Sequence, residues 1–549
     1  MPYRWWSEKP TTRKVILGTT AVGTGINVVT VDEMRLLEQR AGATGVSTEQ
    51  LMENAGRAVA EAARHELGGA AGRRVVVLVG PGNNGGDGLV AAGTLARWGS
   101  NVTAYVPVER QGPSDLADAA TAHGCVVVES HADPDDLALS ERVATADLII
   151  DALLGTGRGR PLEGRMAAIL EQISRVSAPI ISIDVPTGVD ADTGSVDPLT
   201  VPADATIILG LPKTGLFQGD AAQFVGRLIL ADIGLLEGSN DGGVELIHSA
   251  LARQNLPSRP LGGHKGSFGR ALIVGGSRNY VGAPVLAARG AARIGAGLVT
   301  LATPAGVSAH VASMMPEATH YPMRQRGHPD DAGLEDSPTL AEVARGSGAL
   351  VIGPGLGVEA PGRGIVEEMV LHPDGGHFVP LVLDADALNI LAERDNWHRG
   401  LPSPVIITPH PGEMARLTGL TVAEVQADRV RIAREKSSAW GVTVVLKGAF
   451  TVVADPDGRV AINPCALPAL SSAGTGDVLA GAIAGLLAQG VAPYEAACSA
   501  VYLHGIAGTL ATSGNGDQLA GLLAGDVAEK LPAAIGMVRR GEPVAGIFA

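Results

Sequence analysis

Short apolar runs alternate with helix-like stretches along most of the chain, and this alternation constrains the fold more than any other feature. Such alternation is typical of a parallel sheet with helices on both faces. The predicted strands of the first half are 74–79, 102–106, 147–150, 180–183 and 205–209. Those of the second half are 271–274, 298–302, 349–352, 381–383, 405–407 and 443–446. Two further apolar runs, 450–454 and 459–463, flank the turn Asp455-Pro-Asp-Gly458 and predict a β-hairpin.

The regularity breaks down between residues 236 and 263, which contain several glycines and prolines. We therefore predict a linker at 241–246. It separates an α/β domain over 28–240 from a second α/β domain over 247–545, and residues 1–27 are predicted to be an extension.

Charge, cysteine content and hydropathy exclude several classes of protein. The net charge is −15, which makes the chain a poor binder of nucleic-acid backbones, so we expect no nucleic-acid partner. The three cysteines (Cys125, Cys465 and Cys498) have neither disulfide-framework nor metal-ligand spacing. They indicate a reducing compartment, and we expect the cytoplasm. The uncharged stretches 15–31 and 478–494 are shorter than the ~20 apolar residues that span a bilayer, so we expect no membrane segment.

The most informative motif of the first half is Gly80-Pro-Gly-Asn-Asn-Gly-Gly-Asp-Gly88, between the predicted strand 74–79 and a helix predicted over 89–98. A glycine-rich strand-to-helix turn presents backbone N–H groups and a helix dipole to an anion. The motif matches neither the dinucleotide fingerprint nor the Walker pattern. Its side chains Asn83, Asn84 and Asp87 suit a cation or ligand, and a simple tight turn is the alternative.

Two aspartates follow strand-like runs of the first half, Asp151 and Asp184. Because ligands of open α/β sheets bind at the carboxyl ends of strands, both aspartates should face the same crevice as the loop at 80–88. A glycine-rich loop with two arginines, suited to phosphate, follows Asp151, and the hydroxyl of Thr187 follows Asp184. Either aspartate alone also fits a helix cap. Three polar strand ends together favour a ligand site.

These motifs, with Met52-Glu-Asn-Ala-Gly56, resemble the NAD(P)H-hydrate epimerase family over residues 28–240. The resemblance implies a Rossmann-like fold and a bound K⁺ with Asn84, Asp151 and Thr187 as ligands. It also implies that Asp184 is the acid/base carboxylate that moves a proton during inversion at C6 of the hydrated nicotinamide ring. The implied substrate contacts are Asn83, Asn84, Gly85, Gly86, Asp87, Gly155, Thr156, Gly157, Arg158, Gly159, Arg160, Pro161 and Asp184.

In the second half, Ser472-Ala-Gly-Thr-Gly-Asp477 precedes an uncharged helix-like run. Small residues at a helix N-terminus form an anion hole, and Asp477 is placed to take a proton from a hydroxyl under phosphoryl attack. A buried helix with Asp477 in its first turn is the alternative, but it leaves Gly474 and Gly476 unexplained. The motif Thr408-Pro-His-Pro-Gly-Glu413 fixes His410 at a strand end, where a structural role is equally plausible.

The motifs HKGSFG, GPGLG, LDADALN, TPHPGE, LKG and AGTGD occur in this order. Together they resemble the ADP-dependent NAD(P)H-hydrate dehydratase family, a branch of the ribokinase-like kinases, over residues 247–540. The implied adenine-nucleotide contacts are Lys447, Gly448, Ala449, Phe450, Thr451 and Gly476. The implied contacts to the hydrated dinucleotide are Ala283, Gly355, His410 and Asp477.

We therefore expect a bifunctional repair enzyme for damaged nicotinamide cofactors. It would interconvert the R and S forms of hydrated NAD(P)H (NADHX and NADPHX) and dehydrate the S form with ADP and Mg²⁺, giving AMP and phosphate. We also expect a homo-oligomer. One alternative is a kinase for a thiazole or pyrimidine alcohol in the second half, because ribokinase-like folds share the GTGD loop. Another is a non-enzymatic, ligand-sensing first half.

Overall fold

The computed structural model describes residues 25–43, 45–108, 115–157, 161–235, 243–324, 338–371, 379–401, 404–513 and 520–542. These residues divide into two compact units, with the division between Gly243 and Val244. Each unit is built on a sheet of mainly parallel strands, as the alternation predicts. Among the described residues, no helix combines the length and the apolar character needed to cross a bilayer.

The first unit contains the following strands and helices. The strands are β1 (Ile26–Val28), β2 (Arg74–Val79), β3 (Asn101–Val106), β4 (Val126–Glu129), β5 (Leu148–Ala152), β6 (Ile180–Ile183), β7 (Ala205–Leu209) and β8 (Arg227–Ala231). The helices are α1 (Val31–Ala43), α2 (Thr48–Glu66), α3 (Asn83–Arg97), α4 (Asp115–Ala122), α5 (Leu137–Ala144) and α6 (Gly164–Ile173). β1 includes residues 26 and 27, which we had assigned to the N-terminal extension.

The described strands β2 to β8 form one parallel sheet in the order β4-β3-β2-β5-β6-β7-β8. Successive residues of β2 point to opposite faces: Val75 and Val77 enter one apolar core, and Val76 and Leu78 enter the other. The unit is therefore three layers thick. The strand order reverses between β2 and β5, and a reversal of this kind opens a crevice at the carboxyl ends of the two strands.

Every strand predicted in the first half is present, but β1, β4 and β8 were missed. β1 is only three residues long. β4 and β8 lie at the edges of the sheet, and both are partly exposed along their length. Edge strands carry a weaker apolar signal because one side of them faces solvent.

Helix α3 begins at Asn83, earlier than the predicted start at 89. A Cβ on Gly86 would lie 2.7 Å from Cε of Met52, and a Cβ on Gly88 would lie 2.6 Å from Cβ of Ala152. The glycines of the motif therefore allow the first turns of α3 to pack directly on α2 and β5. We had assigned them to ligand approach in a loop, because sequence alone does not separate the two uses.

The second unit contains the remaining elements. The strands are β9 (Val244–Leu246), β10 (Arg270–Val274), β11 (Leu298–Pro304), β12 (Thr319–Met323), β13 (Ala349–Ile352), β14 (Leu381–Leu383), β15 (Val405–Ile407), β16 (Thr443–Leu446), β17 (Val452–Ala454) and β18 (Val460–Ile462). The helices are α7 (Ser249–Asn255), α8 (Gly282–Ile294), α9 (Ala305–Met314), α10 (Leu340–Arg345), α11 (Ala360–Val366), α12 (Asp386–Leu391), α13 (Pro411–Thr418), α14 (Val422–Ala427), α15 (Arg429–Trp440), α16 (Thr475–Ala488), α17 (Pro493–Thr512) and α18 (Ala524–Arg540).

The strands of this unit follow the order β9-β18-β17-β16-β15-β14-β13-β10-β11-β12. Only β17 runs antiparallel to its described neighbours, and it forms the predicted hairpin with β18. Residues 244–246, which we had placed in the linker, form β9 and pair in parallel with β18. Val244 and Leu246 are buried there, so this end of the segment belongs to the sheet.

Two features of the second unit position its site. Helices α8 and α16 pack without intervening side chains, since a Cβ on Gly481 would lie 1.8 Å from the carbonyl oxygen of Ala287. The strand order also reverses between β10 and β13, where Gly276 N–H donates to the carbonyl of Pro354 at 2.9 Å. The start of α16 and the loops after β10 and β13 therefore meet at the carboxyl edge of the sheet.

Candidate active sites

Asp151 ends β5 in the first unit and is only 4% exposed. It accepts two hydrogen bonds from Thr187, from the backbone N–H at 2.9 Å and from Oγ1 at 2.7 Å. Ser182 Oγ and Leu153 N–H each donate one more, at 3.2 Å. Burial raises the pKa of the Asp151 carboxyl, and these donors lower it only in part. None of the four donors is charged, so a cation would be strongly favoured beside this carboxylate.

The side chains of Asn84, Asp151 and Thr187 converge on residues 154 and 155. Thr187 Oγ1 accepts from the N–H of Leu154 at 3.1 Å. A Cβ on Gly155 would lie 3.2 Å from Cγ of Asn84. The Asn84 amide nitrogen is buried and has no hydrogen-bond partner in the described part of the chain. The three residues that we predicted as potassium ligands therefore surround one short stretch of backbone.

Asp184 follows β6 and has an unusual backbone. Its φ is 66°, a region that non-glycine residues enter at a cost of about 1–3 kcal/mol, usually where the surroundings impose it. Its N–H donates to the carbonyl of Ile207 at 2.7 Å, and its Oδ1 accepts from the N–H of Leu209 at 3.2 Å. Strain of this kind at a buried carboxylate points to a functional position.

Lys213 is a residue of this site that the sequence reasoning missed. It is 1% exposed, and its Nζ lies 2.5 Å from Asp184 Oδ1 and 3.1 Å from the carbonyl of Leu209. Parallel pairing of Val29 with Lys213 fixes the lysine backbone. The signal was available, because Lys213 is the only lysine between residues 25 and 243.

The other predicted contacts of the first unit are distributed around this crevice. Asn83 is exposed, whereas Gly85, Gly86 and Asp87 are buried in α3. Arg158, Gly159 and Arg160 lie outside the described residues, and Pro161 is exposed. Thr156 and Gly157 line a cleft, together with Val31, Asp32, Arg35, Asp190, Ala191 and Asp192.

Asp477 lies in the first turn of α16 in the second unit, where Gly474 is the N-cap with φ 88°. A Cβ on Gly474 would lie 2.4 Å from Cδ1 of Leu286 and 3.7 Å from Asp477 Oδ2. Glycine is therefore required here both by conformation and by space. Burial, followed by the negative charge of Asp384, raises the pKa of Asp477 to about 7.

Lys447 connects Asp477 to two further carboxylates. Its Nζ lies 2.7 Å from Asp384 Oδ1 and 3.8 Å from Glu413 Oε2. A Cβ on Gly476 would lie 3.3 Å from Lys447 Nζ. Burial lowers the pKa of Lys447, but these carboxylates raise it above the ordinary value, so it stays charged. Burial also raises the pKa of Glu413 to about 7.

His410 is the N-cap of α13. Its Nδ1 accepts from the N–H groups of Gly412 at 3.0 Å and Glu413 at 3.3 Å. In return, Glu413 Oε2 accepts from the N–H of His410 at 2.7 Å. The imidazole is half exposed, and its Nε2 lies 3.5 Å from Glu413 Oε1. His410 therefore has a structural role as a helix cap through Nδ1. The imidazole stays half exposed with Nε2 beside Glu413, so the structural role does not prevent the predicted contact with a ligand.

The remaining predicted contacts of this unit form two groups. A Cβ on Gly355 would lie 2.7 Å from Cβ of Tyr280 and 2.9 Å from that of Ala283, so these residues are in contact. In the 447–451 loop, Gly448 packs on the buried guanidinium of Arg429, which donates to the carbonyl of Leu446 at 2.9 Å. The last three loop residues differ in exposure: Ala449 is exposed, whereas Phe450 and Thr451 are buried.

Comparison with known proteins identifies both units. The family described as NAD(P)H-hydrate dehydratase matches residues 271–533, and the family described as YjeF-related protein N-terminus matches residues 48–215. The bifunctional NAD(P)H-hydrate repair enzyme Nnr of Moorella thermoacetica is 40% identical over 88% of this chain and 92% of its own length. The chain belongs to this family of bifunctional NAD(P)H-hydrate repair enzymes.

Two further proteins are similar to this chain. The enzyme of the same name from Thermofilum pendens is 36% identical over 88% of this chain and 92% of its own length. Among solved structures, the ADP/ATP-dependent NAD(P)H-hydrate dehydratase of Bacillus subtilis, co-crystallised with ATP and Mg²⁺, is 33% identical. It covers 53% of this chain and 98% of its own, with a TM-score of 0.45.

The residues of the repair enzyme's first unit fit a potassium ion. The Asp151 carboxylate is buried without a charged donor. The nitrogen of the Asn84 side-chain amide is buried and has no hydrogen-bond partner among the described residues. Rotating this amide by 180° places its oxygen at the same position. Oxygen ligands of this kind suit hard cations.

The second unit fits Mg²⁺ only together with a nucleotide. Among the described residues, no group of three or more His, Cys, Asp or Glu side chains forms a metal cage by itself. Mg²⁺ commonly binds to one or two carboxylates plus substrate phosphates. Asp384 and Glu413, beside Lys447, supply carboxylates for such a site.

Proposed function

We propose that the second unit dehydrates the S form of hydrated NADH and NADPH with ADP as phosphoryl donor. Hydroxide is a poor leaving group from C6 of the hydrated ring. If the C6 hydroxyl oxygen attacks the β-phosphorus of ADP, AMP leaves and a C6 phosphate ester forms. The C6–O bond then breaks with loss of a proton from C5, which gives phosphate and restores the C5=C6 double bond.

Asp477 is the base in this proposal. A pKa of about 7 leaves about half of this carboxyl ionised at neutral pH and able to take the hydroxyl proton. The N–H groups at the start of α16 would donate to the transferring phosphoryl group. Lys447 carries a buried positive charge beside Asp477 and would stabilise the phosphate oxygens. Mg²⁺, when bound by Asp384 or Glu413, would neutralise phosphate charge.

We propose that the first unit interconverts the R and S forms at C6. Asp184 would take the proton of the C6 hydroxyl as the C6–N1 bond breaks, which opens the ring to an aldehyde; N1 would then add to the other face of this carbonyl and the oxygen would regain its proton, which inverts C6. Lys213, which is buried against Asp184 Oδ1, would hold that oxygen and leave Oδ2 for the substrate. K⁺ held by Asn84, Asp151 and Thr187 would supply positive charge for the substrate's phosphates or amide.

A single observation carries the proposal: at the carboxyl edge of its sheet, each unit holds a buried carboxylate paired with a lysine, Asp184 with Lys213 in the first unit and Asp384 with the partly buried Lys447 in the second, where Asp477 lies nearby. The experiment supplies an equal mixture of R- and S-hydrated NADH with ADP, Mg²⁺ and K⁺ and follows absorbance at 340 nm. We expect full recovery with wild type, none with Asp477→Asn, and about half of the rapid yield with Asp184→Asn. Equal rapid yields from wild type and Asp184→Asn would refute the epimerase assignment.

The fate of phosphate separates dehydration from kinase activity. A kinase for a thiazole or pyrimidine alcohol would leave the phosphoryl group on its product, whereas the dehydratase releases AMP and phosphate in equal amounts. Absence of AMP release from hydrated NADH would refute the dehydratase assignment.

We further propose that the enzyme is a cytoplasmic homo-oligomer whose partners are small molecules rather than nucleic acid or membrane. Light scattering of the purified chain measures its mass, and fractionation of cells measures its location. A monomeric mass at micromolar concentration would refute the oligomer.

A further inference from the structure

His504 lies on α17, directly behind the glycine-rich start of α16. Its imidazole is 8% exposed, and Nε2 lies 3.0 Å from the carbonyl oxygen of Thr475. Because a carbonyl only accepts hydrogen bonds, Nε2 must carry the hydrogen. Burial, with the nearby charge of Lys447, lowers the pKa of His504 to about 4. The imidazole is therefore neutral across the physiological range and acts as a fixed donor.

The segment that His504 contacts is intrinsically weak as a helix start. Gly474 is the N-cap and gives no side-chain capping bond, and Gly476 is the second residue of the helix. Relative to alanine, Gly476 favours fraying by about 0.5–1 kcal/mol. Thr475 Oγ1 anchors one side by donating to the carbonyl of Leu470 at 2.8 Å and to that of Ser472 at 2.9 Å. His504 anchors the other side through the Thr475 carbonyl.

The planarity of the peptide group links this bond to the site. The carbonyl of Thr475 and the N–H of Gly476 belong to the same planar trans peptide and point in opposite directions. When His504 fixes the carbonyl, it also fixes that N–H on the opposite side. Lys447 Nζ lies 3.3 Å from the position of a Gly476 Cβ, so this peptide borders the phosphate end of the site.

We propose that His504 is a positioning residue for phosphoryl transfer. Its Nε2–H holds the Thr475–Gly476 peptide so that the N–H groups at the start of α16 are already aimed at the phosphates of a nucleoside diphosphate. This inference rests on the proposed dehydratase function. Donors that are fixed before the reaction stabilise developing charge without reorganising during it.

The test compares His504→Phe, which removes the donor, with His504→Gln, whose amide nitrogen can replace Nε2. Ser499→Ala, on the same helix and also buried, is the matched control. The measurements are AMP release at varied ADP and at varied S-hydrated NADH, with Mg²⁺, and the thermal midpoint. We expect His504→Phe to lower kcat/KM for ADP about tenfold, as loss of one hydrogen bond does. The KM for hydrated NADH should stay within about twofold, because in this proposal the Thr475–Gly476 peptide acts on the nucleotide phosphates and not on the hydrated ring.

Rescue and pH dependence distinguish positioning from a purely structural role. His504→Gln should recover most of kcat/KM for ADP. Neither variant should shift the acid limb of the pH profile, which is the pH range where kcat/KM for ADP falls as the solution becomes more acidic. Wild-type constants in a folded His504→Phe protein, equal losses in both variants, or a shifted acid limb would each overturn the inference. If the Phe variant does not fold, His504→Leu is measured in its place against the same outcomes. Wild-type protein that releases no AMP would instead refute the dehydratase function itself.

Discussion

Replacing Lys213 by methionine tests what its ion pair with Asp184 contributes to epimerisation. The change removes the Nζ donor at 2.5 Å from Asp184 Oδ1 and leaves the N–H of Leu209, at 3.2 Å, on the same oxygen. A hydrogen bond between charged groups contributes about 1.5–3 kcal/mol, which corresponds to a factor of about 10–150. We expect epimerase kcat/KM to fall by such a factor.

The loss should depend on the charge of the side chain as well as on the hydrogen bond, because Lys213 Nζ is buried between Asp184 Oδ1 and the carbonyl of Leu209. Lys213→Arg, which keeps the charge, should therefore retain more of the epimerase kcat/KM than Lys213→Met.

The assay uses pure R-hydrated NADH with an excess of a separate dehydratase, so that epimerisation limits the recovery of absorbance at 340 nm. Arg227→Met is the matched control, since Arg227 pairs with Glu66 at 2.7 Å but is 44% exposed. The dehydratase activity of the second unit on S-hydrated NADH should be unchanged in every variant. A Lys213→Met protein with the wild-type epimerase rate would refute the role given to the ion pair.

Three further predictions follow from burial and packing. Dehydratase kcat/KM for ADP should fall about tenfold per pH unit below about 7, since Asp477 must be ionised. Glu413→Gln should move this decline to lower pH, because the negative charge of Glu413 helps to raise the pKa of Asp477. A decline that does not move would contradict the interaction between the two carboxyls. Burial raises the pKa of Asp151, so the ion-free first unit should lose stability as pH rises above the ordinary aspartate range, and the thermal shift produced by K⁺ should grow as pH rises over the same range. Asp151→Asn should abolish that shift; a shift that is independent of pH would exclude Asp151 as the ligand. Gly481→Ala should destabilise the second unit by about 3 kcal/mol or more in denaturant unfolding, because the added Cβ would lie 1.8 Å from a backbone oxygen. The control Gly364→Ala, in open space on α11, should be neutral or slightly stabilising. Similar losses of stability in both variants would refute the close packing of α16 on α8 as the cause.

The sequence predicted the sheets well because interior strands have strong periodic signals. All predicted strands are present, whereas β1, β4, β8, β9 and β12 were missed. Edge strands such as β4 and β12 are partly exposed, and β9 is only three residues long. Short or half-solvated strands do not differ enough from loops in composition to be recognised.

The candidate sites were only partly predictable, for a different reason. Asp151, Asp184 and Asp477 stand in recognisable motifs at strand or helix ends. Lys213 and His504 approach from distant elements, and their contacts with Asp184 and Thr475 depend on tertiary packing. The glycines show the same limit: Gly86 and Gly88 look like a ligand-binding loop in sequence, but they pack inside a helix.

The two proposed bases have different electrostatic surroundings, and the difference matches their chemistry. Asp184 has one buried lysine, with Nζ 2.5 Å from Oδ1. Asp477 shares Lys447 with Asp384 and Glu413, and burial, followed by the negative charge of Asp384, raises its pKa. In the proposed mechanism, Mg²⁺ held by Asp384 or Glu413 would offset these negative charges, and a nearby positive charge favours the ionised form of a carboxyl. We therefore expect binding of the metal to shift Asp477 toward the ionised base that the proposed phosphoryl transfer requires.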